Sequence, residues 1–550
     1  MCIQPHYNSS SSGKSRRREG FGDCKEKICM TKKTKSLLFV AVICVVVFVC
    51  ISAGCVDNNT DADISNTLVY AGEASSTINP ILNTHTELVD LIFSGLMKYD
   101  GDSNSIVDLA ESYTYDETNM VYTFHLRKGI TWHDGTPFTA EDVVFTYETL
   151  MNDATLSSTI TSNYEDIKSV TAPDDYTVVF VMDKYNAAML SYFTRGIAPK
   201  HLLAGKDINI DSFNQHPVGT GRYKFVEWDT AGAMIILEKN TAYYDKIPNI
   251  ERIIYKTVSS TSIKTTLLTT GEADLAWLNA NYAETFRGKA GYKNIDFITA
   301  DYRGISMDYA SDFWKNNGDS VGVLNYAIDK DSIVKSVLYG RGVAAYSPIQ
   351  LSEYGGNTAA DIYSYDPVKF AEEMEKLGWV KGSDGIYERN GEKFHFRIHV
   401  NGNEEERVDI ANLCSQTLKE AGVDMEVCVQ YNWDFTGYDG FLSGNACEFD
   451  PDMLYVGSVT GASGNTMFYS NADVDKYLKE GRHAESETER KEAYRNFEVA
   501  YAENPGIVLV AYLDGNYVSI AGLDGLDTTR VLGHHAVGVM WNVEYWTLSK

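Results

Sequence analysis

Apolar and polar residues fall into short runs whose period changes along the chain. "YTFHLRKGITW" (122–132) alternates with period two, as a half-buried strand does, while "YTVVFVM" (176–182) and "GAMIILE" (232–238) are apolar runs of buried-strand length. Elsewhere the period is helical, in "AEDVVFTYETLM" (140–151), "LNYAIDKDSIVKSVLYG" (324–340) and "DPVKFAEEMEKLG" (366–378), each stopped by glycine or followed by loop residues. The last third predicts two strong helices. Val474, Tyr477 and Leu478 make one apolar stripe before Gly481, and Tyr494, Phe497 and Tyr501 make another behind a capping-box pair, Ser486 and Glu489. Strands mixed with helices predict an α/β class, and 550 residues predict two to four domains of about 150 residues each.

The N-terminal region has a different pattern. After "TKKTK" (31–35), the apolar run "LLFVAVICVVVFVCI" (37–51) spans about 22 Å as a helix, short of the ~30 Å hydrocarbon core. A basic flank, a short apolar stretch and small residues read as a secretory signal over 30–54, with Met30 as its start and 1–29 as an upstream mis-start. Ser52-Ala53-Gly54-Cys55 resembles a prokaryotic lipobox, which implies lipidation of Cys55. Ser52 stands where that pattern usually has Leu, and an ordinary signal peptide or an uncleaved anchor is the alternative. All of these place the body outside the cytoplasm, and the polar stretch 56–66 then reads as a disordered tether.

Charge separates the same two regions. Residues 1–54 hold 9 Lys and Arg against 3 Asp and Glu, which leaves 39 against 73 in the rest, a net of −34. Such a body repels phosphates, so nucleic acid is excluded as a partner. The 36 tyrosines and 22 phenylalanines suit both cores and recognition surfaces. Of nine cysteines only Cys55, Cys414, Cys428 and Cys447 follow the signal, and spacings of 14 and 19 in the last three fit buried thiols, or at most one disulfide, better than a zinc site.

No catalytic constellation emerges. "WHDGTPFTAEDV" (132–143) sets His133 beside Asp134, yet local sequence supplies neither nucleophile nor metal partner. A structural account uses every polar residue: Trp132 ends a strand, Gly135 makes a turn, and Thr139 with Asp142 caps a helix. "GTGRYKF" (219–225) lacks the third glycine of a phosphate loop. Among eleven histidines the only adjacent pair is His534-His535, a modest metal candidate.

Six segments resemble, in order, the extracellular solute-binding proteins of ABC importers, in the peptide and nickel group called family 5. They are 122–151, "PVGTGRYKFVEW" (217–228), "GEADLAWL" (271–278), 324–340, "YDPVKFAEEMEKLGW" (365–379) and "YSNADVDKYLKEGR" (469–482). The resemblance implies a bilobed, periplasmic-binding-protein-like fold of class II. Its first lobe would be 66–297 with 515–550, carrying an extra subdomain near 80–215, and its second lobe 298–514. It implies a monomeric, lipid-anchored receptor without cofactor, held at the outer face of the membrane beside a permease and a cytoplasmic ATPase. A surface peptidase is the rival from another class.

Peptide is the first ligand expected and a nickel chelate the second. Family peptide binders place an aspartate after Gly-Trp, where this chain has Gly457-Ser458 and no acidic residue until Asp473. The resemblance assigns Glu73, Ala74, Ser75, Tyr302, Trp433, Tyr455, Gly457 and Ser458 to the cleft. Under the metal alternative it adds His85, His534 and His535.

Overall fold

The computed structural model describes residues 66–73, 75–82, 86–350, 363–432 and 434–550, and these belong to one compact unit. The apolar run 37–51, Cys55, Ala74, His85 and Trp433 lie outside the described residues. Among those described, no helix is long and apolar enough to cross a membrane.

In chain order the elements used below are β1 (Thr67–Gly72), α1 (Glu87–Ile92), β2 (Ala110–Asp116), β3 (Val121–Leu126), α2 (Ala140–Asn152), β4 (Ile167–Asp174) and β5 (Thr177–Met182). Then come β6 (Tyr223–Asp229), β7 (Met234–Lys239), β8 (Arg252–Thr257), β9 (Leu275–Trp277), β10 (Tyr292–Met307), β11 (Gly342–Ala344) and β12 (His395–Asn401). The chain ends with α3 (Glu405–Ala421), β13 (Asp424–Gln430), β14 (Gly440–Asn445), α4 (Ala472–Arg482), α5 (Glu487–Glu503) and β15 (Ile507–Ile520).

One mixed sheet runs through both lobes in the order β13-β12-β14-β10-β15-β9-β1-β8-β7-β6, with β11 added on β15. The long central strands β10 and β15 pair from Tyr292↔Ile520 to Ile298↔Asp514, slip register, and resume at Tyr302↔Tyr512. On one side of that slip Phe297 and Tyr517 enter a core shared with β1, α1 and α2; on the other, Ile305, Val508 and Val510 enter a second core. Each strand therefore serves two cores, and the molecule is bilobed. A separate antiparallel sheet, β2-β3-β5-β4, belongs to the first core. There α2 buries Val143, Tyr147 and Leu150, with the Tyr147 ring edge-on to Phe180 at 4.9 Å.

The segment "WHDGTPFTAEDV" is the strand–turn–helix connection its pattern predicts. Gly135 takes φ +89°, and the Thr139 amide donates to the Asp142 carboxylate at 3.0 Å in a capping box. His133 Nε2 donates to the Gly221 carbonyl at 3.0 Å, while its Nδ1 accepts from the Gly219 amide at 3.3 Å. "GTGRYKF" thus supports the histidine, and its glycines admit α1: a Cβ at Gly219 would lie 1.8 Å from the Ile92 carbonyl oxygen.

Two helices differ from their sequence patterns. The stretch 324–340 divides into a 3-10 turn, Gly322–Tyr326, and a helix, Lys330–Ser336, because the Asp329 carboxylate caps the Ser332 amide and starts a new helix. Gly481 does not stop α4; it lies inside the helix, where a Cβ would come within 2.7 Å of the Tyr494 ring on α5. Cys414, Cys428 and Cys447 are buried free thiols, and burial pushes Cys414 up to about 12.

Candidate functional site

Between the lobes lies a small cavity, partly open to solvent. The first lobe lines it with Glu73, directly after β1, Trp277 of β9 and His535 of the C-terminal stretch, and the second with Glu404 and Arg407 at the start of α3. Arg303, from the crossing strand β10, forms the floor between them. The glutamates of α3 occupy its N-cap and first turn, where the helix dipole favours negative charge.

Asp301 organises the centre. Its Oδ1 accepts from His534 Nδ1 at 2.7 Å and pairs with Arg303 at 2.5 Å, and its Oδ2 accepts from the His535 amide at 2.9 Å. Burial opposes its charge, but Arg303 and His534 outweigh burial and hold the carboxyl well below the usual range. With Nδ1 donating to Asp301, His534 presents the Nε2 lone pair. Arg407 approaches both imidazoles, 3.5 Å from Nε2 of His534 and 3.4 Å from Nε2 of His535. Burial lowers both histidines, against the pull of Asp301 on His534 and reinforced at His535 by its neighbour.

The histidine loop is held in an uncommon conformation, His535 and Ala536 having φ of 56° and 52°. Besides Asp301, the Tyr517 hydroxyl donates to the Ala536 carbonyl at 2.9 Å, and the buried Glu87 carboxylate accepts from the amides of Gly538 and Val539 at 2.7 and 3.1 Å. Two donors on the cavity side lack hydrogen-bond partners among the described residues, Trp277 Nε1 and Arg303 Nε, whereas Arg407 Nε is paired with the Glu404 carboxylate. Arg303 Nε is 3.5 Å from the Glu406 carboxylate but too poorly aligned for a hydrogen bond. Burial lifts Glu406 to about 7 in spite of Arg303.

Of the residues assigned from sequence, Glu73 and His535 line the cavity and His534 backs it. Glu73 is paired with the buried Lys264, whose ammonium also lies 5.2 Å from the Trp277 ring centre. Ser75 turns its hydroxyl to the Thr77 carbonyl and is off the lining. Tyr302 is a core residue, edge-on to Tyr512 at 6.0 Å. Tyr455, Gly457 and Ser458 form a short helix of the second lobe away from this lining; Tyr455 reaches Glu165 of the first lobe, Gly457 is exposed and Ser458 is buried. The sequence reading missed Asp301, Arg303 and Arg407. Their signal was present: "ADYRG" puts two charges into an apolar central strand, where burial demands partners. Arg407, in "NEEER", looks like part of a solvated charge run.

Two lobes joined by a pair of continuous strands around a polar cavity suit capture of a solute between them. The model for bacterial extracellular solute-binding proteins, family 5, matches residues 106–474, and the chain belongs to that family. A structure of NikZ from Campylobacter jejuni, solved with Ni(L-His), is similar with a TM-score of 0.82 and 33% identity, over 88% of this chain and 100% of that one. The oligopeptide-binding protein AppA of Bacillus subtilis is 28% identical over 499 residues, covering 84% of this chain and 88% of its own. Its structure with a nonapeptide gives a TM-score of 0.78 at 25% identity, over 88% of this chain and 99% of that one. Family 5 proteins act outside the cytoplasm and hand solute to an ABC permease.

Proposed function

We propose that this protein captures nickel carried by a small amino-acid chelator and closes its lobes over the complex. The observation that carries this reading is the His534–His535 pair at the cavity, with Asp301 accepting from Nδ1 of His534 as carboxylates do from metal-bound imidazoles. Imidazole nitrogens suit nickel. Among the described residues no three His, Cys, Asp or Glu side chains form a metal-holding group, so a chelator supplies further donors. His85 is a third candidate. Arg407 and the unpaired donors of Trp277 and Arg303 then answer the chelator's carboxylate. The 33% identity to NikZ, solved with Ni(L-His), supports the same ligand class.

Peptide capture, the first expectation from sequence, is the second reading, favoured by the likeness to AppA along most of both chains. Melting curves with nickel(II) plus L-histidine, and separately with a nonapeptide, distinguish the two. Nickel with histidine should raise the melting temperature of the wild type and not of a His534→Ala/His535→Ala variant. Stabilisation by peptide alone would favour the second reading.

The lobes are assigned as 66–297 with 515–550, and 298–514, supported by the separate cores that meet at the register slip. The subdomain near 80–215 contains the four-stranded sheet. The protein is a monomer anchored at the outer membrane face through lipidated Cys55, a reading supported by the signal pattern ending at "ISAGC".

A further inference from the structure

Away from the cavity lining, the lobes meet along a second seam. Residues 159–192 of the first lobe face 452–483 of the second, and the contacts are polar and reciprocal, buried at Tyr192 and Asp452 and half-buried toward Glu165, whose side chain is 46% exposed. The Tyr455 hydroxyl donates to Glu165 Oε1 at 2.6 Å, and the Tyr192 hydroxyl donates to Asp452 Oδ2 at 2.5 Å. Arg482, fully buried, is paired with Asp452 in its own lobe at 2.7 Å. It also crosses the seam, donating to the Ser162 carbonyl at 2.9 Å and lying 3.4 Å from Glu165 Oε1. Its guanidinium stacks 3.3 Å from the Tyr455 ring centre. Ser162 and Ser463 exchange hydrogen bonds at 2.9 and 3.2 Å, and His483 Nε2 is 3.1 Å from both oxygens of Asp166.

We infer that this seam is a closure latch, and that it sets how tightly solute is held although it touches none. The sheet links the lobes through β10 and β15, so swinging them apart at the register slip separates groups distant from that slip. Asp452 and Arg482 satisfy each other within one lobe, and opening leaves that pair intact while breaking its bonds to Tyr192, Ser162 and Glu165. Interactions made only in the closed state raise its population, and apparent affinity scales with the fraction of molecules that is binding-competent. Tyr455, assigned to the cleft from sequence, acts on affinity from this seam.

The latch depends on the bilobed fold and not on which solute is bound, so its test begins without one. Tyr455→Phe removes the hydroxyl and Glu165→Gln removes the charge facing Arg482, and neither disturbs the Asp452–Arg482 pair. X-ray scattering of the unliganded variants should show a larger radius of gyration than the wild type, with the melting temperature kept. Apparent affinity for nickel(II) with L-histidine, or for a nonapeptide if that is the solute that binds, should weaken about five- to tenfold per variant, mainly through faster release. Scattering identical to wild type in both variants would overturn the latch. So would a lowered melting temperature with unchanged affinity, which would make the seam ordinary packing. If neither probe binds wild type, the nickel and peptide readings fail while scattering still decides the latch.

Discussion

His133 shows how a side chain that looks chemical can be wholly occupied by structure. Both ring nitrogens are taken by the backbone at Gly219 and Gly221, and burial pushes its pKa down to about 4. Below about 6.5 the unfolded chain binds a proton that the folded chain refuses until about 4, so folded stability drops as pH falls through that window. His133→Ala should lower the melting temperature at neutral pH, with the deficit shrinking as the pH falls, while selectivity among solutes stays unchanged. Melting curves across the window and competition binding check this. Asp301 is the opposite case, buried yet aimed at the site. Asp301→Asn should weaken nickel binding by about 10- to 100-fold, as loss of a carboxylate behind a metal-bound imidazole does, and calorimetry with nickel(II) and L-histidine measures it.

Among the elements, α2 depends on its cap and α1 on the glycines packed against it. Thr139→Ala removes the N-cap hydroxyl and should cost about 1 kcal/mol in urea unfolding, with solute affinity unchanged. Gly219→Ala should be far worse, because its Cβ would meet the Ile92 carbonyl oxygen on α1 at 1.8 Å and the backbone must give way. Gly457→Ala, with nothing within 4 Å of its Cβ, is the control and should melt like the wild type. Helical periods were readable in α2 and α5 because each has one buried face, whereas β5 and β7, read from sequence as apolar runs of buried strands, alternate buried and less buried positions. The split of 324–340 was not, since Asp329 reads equally well as a solvated position or as a cap.

For the whole molecule, the expected behaviour is closure about β10 and β15 on binding. Scattering should show the radius of gyration decrease with the stabilising solute, and a double variant lacking His534 and His535 imidazoles should remain open. What the sequence by itself determined was the class of fold and the family: periods, caps and turn glycines act locally, and six ordered segments carry the resemblance through most of the chain. It also marked Glu73 and the His534-His535 pair. Only the tertiary structure decided which charges converge. Asp301 and His534 are 233 residues apart, and burial makes each such charge depend on a partner that linear spacing cannot reveal. The same reason moved Tyr455 from the cavity to the seam. The family resemblance assigned it to the cleft, but the fold places Glu165 and Arg482 against it.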